Sequence, residues 1–207
     1  MFLRARTKEQ VDERKMEIIK AMDDLYATKE LSEIYLKDIA AKTSIGRTAI
    51  YSYYSRKEEI LLDCLYYHFI DLDDGLQKLL NKEKEEDLPD ALTALLCKNV
   101  AILKIMSTNL EELERKTTVE RLVVLKTELK RFQTLFMELL SKNYPDADKE
   151  DIRYVLYTFI ALLYGYYPLA NPIDVQREAM ERTGTTINAD METLIRTSLS
   201  FLLRNLR

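Results

Sequence analysis

Apolar residues recur at helical spacing along nearly the whole chain. Val11, Ile18, Met22 and Leu25 fall three, four or seven residues apart, which predicts a first helix over about residues 8–28 with one buried stripe. After a break around 29–34, two short helices are expected over 36–43 and 47–53, separated by Ser44-Ile45-Gly46, the length of a tight helix-helix turn. A longer helix should run from Lys57 to about Leu80, where a charged stretch and Pro89 interrupt it. Leu92, Leu95, Leu96, Ile102, Leu103 and Met106 mark another helix, followed by a short one near residues 109–115. Leu122, Leu125, Leu129, Phe132, Phe136 and Leu139 then alternate spacings of three and four, the pattern of a long helix packed along its length. Ile152, Val155, Leu156, Phe159 and Leu163 define the next helix, closed by Gly165 and Pro168. Met191, Leu194, Ile195, Leu199, Leu202 and Leu206 define the last, with room for a short helix between Pro172 and Arg182.

Composition agrees with an all-α fold, because four Gly and four Pro in 207 residues are too few turn formers for many hairpins. An apolar fraction of 47% is ample for a core. No apolar run approaches the roughly 18 residues that cross a bilayer, and the charged start MFLRARTKEQ lacks the apolar stretch of a signal peptide. A cytoplasmic protein without a membrane partner is expected. Cys64 and Cys97 lie far apart among apolar neighbours and read as reduced core residues.

The net charge of −4 argues at first against nucleic acid, but the charge on the binding face is what matters. From Ile39 to Lys57 there is no Asp or Glu, while Lys42, Arg47, Arg56 and Lys57 fall in that window. A second acid-free basic stretch, Arg4, Arg6 and Lys8, opens the chain.

Within that window the spacing fits a helix-turn-helix over about residues 36–54. Ala40 supplies a small residue at the crossing, and Ile39, Ile45, Ile50 and Tyr53 or Tyr54 supply apolar plugs. The second helix then offers short side chains to base edges in a major groove about 12 Å wide. Arg47 suits guanine, Thr48 suits base or phosphate, and the Ala49 methyl suits a thymine methyl. Ser52 is also short, Tyr51 and Tyr53 carry hydroxyls for phosphates, and Lys57 adds charge at a helix start. The expected DNA contact set is therefore Arg47, Thr48, Ala49, Tyr51, Ser52, Tyr53 and Lys57.

Ile39-Ala40, Ile50-Tyr51, Tyr53-Tyr54 and Lys57-Glu58 resemble the signature of the TetR family at the same spacings, over about residues 11–65. Glu30 stands where that family has Gly, Ser44 replaces a turn Gly, and Gly46 occupies the site of a capping Ser. The resemblance implies an N-terminal three-helix bundle carrying the helix-turn-helix, residues 8–72, and a C-terminal helical ligand-binding and dimerisation domain, residues 73–207. It implies a homodimeric repressor on a near-palindromic, double-stranded DNA operator, released by a small molecule. From the family's arrangement, the dimer interface is expected at Val155, Phe159, Leu163, Leu199 and Leu202. The effector pocket is expected at Tyr66, Tyr67, Ile102, Met106, Phe132, Phe136, Tyr154 and Tyr157. Those positions include no Lys or Arg, so an apolar effector that is neutral or cationic is expected. Ordinary core packing is the competing reading of each.

Two further classes stand beside this one. The same DNA-binding fold could answer to a protein partner. An enzyme would need converging His, Cys or carboxylate groups, yet His68 is the only histidine and Glu111, Glu112 and Glu114 read as a solvated helix face. No catalytic residue, metal or cofactor is expected.

Overall fold

The computed structural model describes residues 7–83 and 87–206, and among these it contains helices and no strand. The helices are α1 (Lys8–Tyr26), α2 (Leu36–Ala41), α3 (Arg47–Ile50), α4 (Lys57–Asn81), α5 (Leu88–Lys98) and α6 (Val100–Thr108). They continue as α7 (Leu110–Arg115), α8 (Val119–Asn143), α9 (Lys149–Leu163), α10 (Tyr166–Ala170), α11 (Asp174–Thr183) and α12 (Met191–Leu203). Single 3-10 turns lie at Leu31–Glu33 and Arg204–Leu206. The all-α expectation holds; Arg4 and Arg6 fall outside the described residues.

The chain divides into two compact units, one of Met1–Tyr67 and Asn109–Lys126, the other of His68–Thr108 and Thr127–Arg207. Residues 109–126 thus group with the N-terminal residues in the first unit. Leu110 and Leu113 are buried there, and the Tyr26 hydroxyl donates to Asn109 Oδ1 at 2.5 Å.

In the first unit, α1 starts where the Thr7 side chain accepts from the backbone of Gln10 at 3.2 Å and the Gln10 side chain bonds back to Thr7. Its stripe of Ile18, Met22 and Leu25 is buried, and α1 and α3 both pack on α2. Cys64 is buried in this core, whereas Cys97, in the second unit, is only half-buried.

In the second unit the stretch expected as one helix breaks into α5 and α6, bent by 72°. The break sits at Asn99, whose side chain donates to the Leu95 carbonyl at 2.9 Å while its backbone N–H bonds to Leu96 at 2.9 Å. Helix α12 packs chiefly on α5 and α10, and α6 packs on α10 and α9. A Cβ at Gly75 would clash with Leu95, so the absence of a side chain lets α4 lie close against α5. Phe69, Phe132, Phe136 and Phe159 form a continuous aromatic row through this core.

Candidate nucleic-acid interface

Every plug of the helix-turn-helix is buried: Ile39, Ile45, Ile50 and Tyr54. Tyr53 is half-buried, so Tyr54 fills the angle between the helices. The second helix is shorter than expected. It ends at Ile50 and passes into tighter turns, in which Ser52 N–H bonds to Ala49, Tyr53 N–H to Ile50, and the Ser52 hydroxyl to the Ala49 carbonyl at 2.6 Å.

Gly46 caps α3 with extended backbone at φ −64, and Ser44 needs no left-handed conformation, since among the described residues only Gly184 has positive φ. Ser44 is instead held from α1. Its N–H donates to Glu17 Oε1, its hydroxyl donates to Glu17 Oε2 at 3.1 Å, and Arg14 donates to its Oγ. Burial raises the Glu17 pKa, but the hydrogen bonds from Ser44 and Arg14 outweigh it and hold the carboxyl below its ordinary range.

Packing the plugs inward turns Arg47, Thr48, Ala49, Tyr51 and Ser52 outward, all exposed. Beside them is an open cleft of about 400 Å³ whose lining includes Tyr35, Lys37, Arg47, Tyr51, Arg56 and Lys57. Arg47 and Arg56 enter no ion pair or hydrogen bond among the described residues, and Lys37 lies 5.4 Å from the Tyr35 ring. The one carboxylate in the lining, Glu58, is buried and paired with Lys116 Nζ at 2.8 Å. Burial opposes its charge, but the Lys116 hydrogen bond, with the Lys116 and Lys57 charges, holds its pKa below the usual carboxylate range. The cleft therefore presents cations and aromatic edges.

Lys57 sits differently from the other expected contacts. Its ammonium donates to the carbonyls of Leu31 and Ile34 at 2.5 and 2.8 Å and lies 5.6 Å from the Tyr35 ring. It ties the turn before α2 to the start of α4. Tyr35, Lys37 and Arg56 line the same cleft and were not among the contacts expected from sequence. Arg56 already stood in the acid-free window, and Lys37 lies just outside it beyond Asp38.

The expected effector residues are not gathered into one group. Tyr66 and Tyr67 belong to the first unit and meet edge-to-face at 5.2 Å, with Tyr67 exposed. Ile102, Met106, Phe132 and Phe136 are buried in the second unit. Tyr154 and Tyr157, at 62% and 54% exposure, stand on the outer face of α9, apart from that buried group.

Of the residues expected at a dimer interface, Phe159, Leu163 and Leu199 are buried in the chain's own core, whereas Val155, also largely buried, and the partly accessible Leu202 border a groove on the outward face. Two apolar stripes run along α9, and the one of Ile152, Val155, Leu156, Phe159 and Leu163 faces inward. The outward stripe is Tyr154, Tyr157 and Tyr164, accompanied on α12 by exposed Phe201. A groove of about 230 Å³ lined by Asp151, Tyr154, Val155, Thr158, Leu202 and Leu206 lies on this face.

Residues 68–206 match the family model described as "Tetracyclin repressor-like, C-terminal domain". The match begins at the residue where the second unit begins. No curated protein sequence matches the chain. Among solved structures, the fatty acid degradation regulator FadR from Bacillus halodurans superposes with a TM-score of 0.60 at 17% identity, covering 97% of each chain. FadR from Bacillus subtilis, in complex with stearoyl-CoA, gives a TM-score of 0.58 at 15% identity over 91% of this chain and 97% of that one. RolR in complex with resorcinol gives 0.52 at 14% identity, over 94% and 96%. At these identities the likeness shows the fold. The chain belongs to the TetR family of transcriptional regulators, whose members are not enzymes.

Proposed function

We propose that this regulator is a repressor that binds a near-palindromic operator as a homodimer and leaves it when a small molecule occupies its C-terminal unit. The observation that carries the DNA reading is the outward row of Arg47, Thr48, Ala49, Tyr51 and Ser52, framed by Lys37 and Arg56 with no unpaired carboxylate between them. Short side chains at the row's centre admit base edges, and the flanking cations and Tyr53 meet phosphates. Lys57 keeps its place in the contact set through its charge and its N–H at the start of α4, while its side chain positions the loop before α2.

The outward tyrosines of α9 and Phe201 of α12 are the homodimer surface in this reading, because an exposed aromatic row of this kind calls for a cover. Two-fold symmetry then sets two recognition helices about 34–36 Å apart. The stearoyl-CoA and resorcinol complexes of the fold's relatives support a small-molecule effector. For this chain an apolar ligand, neutral or cationic, is the proposed class.

The test is fluorescence anisotropy with the DNA flanking the protein's own gene, for parent and Arg47→Ala. The variant should lose about 1–3 kcal/mol of discrimination at one base pair of each half-site. Identical sequence preference in both proteins would refute the assignment. Sedimentation of Tyr157→Glu should show a shift from dimer toward monomer, and a monomeric parent would remove the symmetric reading.

A further inference from the structure

Asp73 lies in the middle of α4 with no exposed side-chain surface, and neither of its oxygens accepts a hydrogen bond. The nearest cation, Arg131 Nε, is 3.8 Å from Oδ2, beyond hydrogen-bond reach. Arg131 is itself nearly half exposed and already divided: its Nη1 donates to Glu128 at 3.4 Å and its Nη2 lies 3.9 Å from Asp74. Glu128, buried on α8, adds a second carboxylate beside Asp73. The charged groups acting on Asp73 are thus Glu128 and Arg131 from α8 and Asp74 on α4, two carboxyls to one guanidinium.

A buried carboxylate without donors is costly, and here burial first, then Glu128, push the Asp73 carboxyl up to about 7. Near neutrality Asp73 therefore still holds its proton part of the time. The surroundings are specific too. One helical turn from Asp73, Phe69 meets Phe132 edge-to-face at 5.7 Å, and Phe132 lies one turn beyond Glu128. The aromatic row continues from there to Phe136 and Phe159.

We propose that Asp73 and Glu128 form the anionic end of a recognition site for a protonated amine with an aromatic or apolar body, lying along the Phe69–Phe132 pair. An ammonium brings three donors, which Asp73 lacks, and a positive charge closer than the 3.8 Å at which Arg131 stands. A neutral hydroxyl can donate only one hydrogen bond and leaves the carboxylate charge uncompensated, and an anionic ligand would add repulsion. The exchange balances: the ammonium enters and the proton held by Asp73 leaves to solvent. The proposal rests on reading the C-terminal unit as ligand-responsive.

The probe is 2-phenylethylammonium, whose two-carbon spacer sets ring and nitrogen about 5 Å apart, close to one helical turn. It stays charged between about pH 6 and 8, so any change in affinity over that range belongs to the protein. Calorimetry on the full chain should show binding about tenfold tighter at pH 8 than at pH 6, with proton release seen as buffer-dependent heat at pH 6. The neutral 2-phenylethanol and the anionic phenylacetate should bind at least tenfold more weakly. Asp73→Asn should lose at least tenfold in amine affinity while keeping its helical circular dichroism, and Glu128→Gln should flatten the pH dependence. Absence of amine binding, equal binding of amine and alcohol, or parent-like binding by Asp73→Asn overturns the site. Operator affinity is measured separately. Amine binding with unchanged operator affinity keeps the site and refutes ligand release. Operator release by a neutral compound, in a protein that ignores the amine, does the reverse.

Discussion

Asp63 and Asp73 stand ten residues apart on α4, one in each unit, and their surroundings treat them differently. Asp63 accepts from the Tyr54 hydroxyl at 2.8 Å and from Arg121 Nη1 at 3.2 and 3.3 Å. The same guanidinium donates to the Tyr53 carbonyl at 3.4 Å and lies 5.2 Å from the centre of the Tyr54 ring. Burial, and then the Asp63 charge, push the Tyr54 phenol well up, so it remains a donor at every physiological pH. Asp63 therefore fastens the end of the helix-turn-helix to the first turn of α8. Asp73 has a second carboxyl, Glu128, beside it and a guanidinium no closer than 3.8 Å. Two identical side chains on one helix take a structural or a receptive character from the donors that tertiary packing brings to them.

The largest effect that would sharpen this contrast is expected from Asp73→Asn. A carboxyl whose pKa rises from an ordinary value to about 7 on folding stabilises fully below the unfolded pKa and loses that stability as pH climbs. The parent should therefore weaken between about pH 4 and 7, and the variant should be about 2–4 kcal/mol more stable than the parent at pH 8. Urea denaturation across this range measures it. A variant as stable as the parent at pH 8 would mean that Asp73 finds partners after all.

Arg121→Ala should act in the opposite direction. It strips Asp63 and the Tyr53 carbonyl of a donor and should cost about 1–3 kcal/mol, with weaker operator binding as the recognition helix loses its anchor. Full stability in the variant would dissolve the comparison from the other side. Tyr54→Phe removes one donor but leaves Arg121 in place, so a loss of about 1 kcal/mol is expected in the same denaturation experiment.

Glu58→Gln should give the smallest change. Its lowered pKa means that the stability contributed by the Lys116 pair is present above the unfolded carboxylate value and fades as pH falls through the folded one. Lys116 is 40% exposed, so screening limits the effect to about 0.5–1 kcal/mol at neutral pH. Thermal melts of the variant should converge with the parent's in acid, and a constant offset at all pH values would contradict the assigned pair.

Much of the DNA-binding unit was legible from residue spacing. Ile39, Ile45 and Ile50 are plugs because a short turn between two helices leaves few places for apolar groups, and once they point inward Arg47, Thr48 and Ala49 must point out. The cleft beside them was only half legible, since Tyr35 and Lys37 reach it from the start of another helix. On α9 the structure buries Phe159 and Leu163 and leaves Tyr154 and Tyr157 outward. Periodicity gives the angular separation of the aliphatic and tyrosine stripes but does not say which one the core takes.

The amino-acid sequence by itself determined an all-helical chain with a helix-turn-helix and an acid-free recognition segment, because helical period, turn length and local charge involve residues near one another along the chain. Only the tertiary structure decided that residues 109–126 join the N-terminal unit, that Lys57 spends its ammonium on loop carbonyls, and that Asp63 is satisfied while Asp73 is not. Each of these depends on which donors and carbonyls distant segments bring together, and a buried polar group takes its energy from those partners.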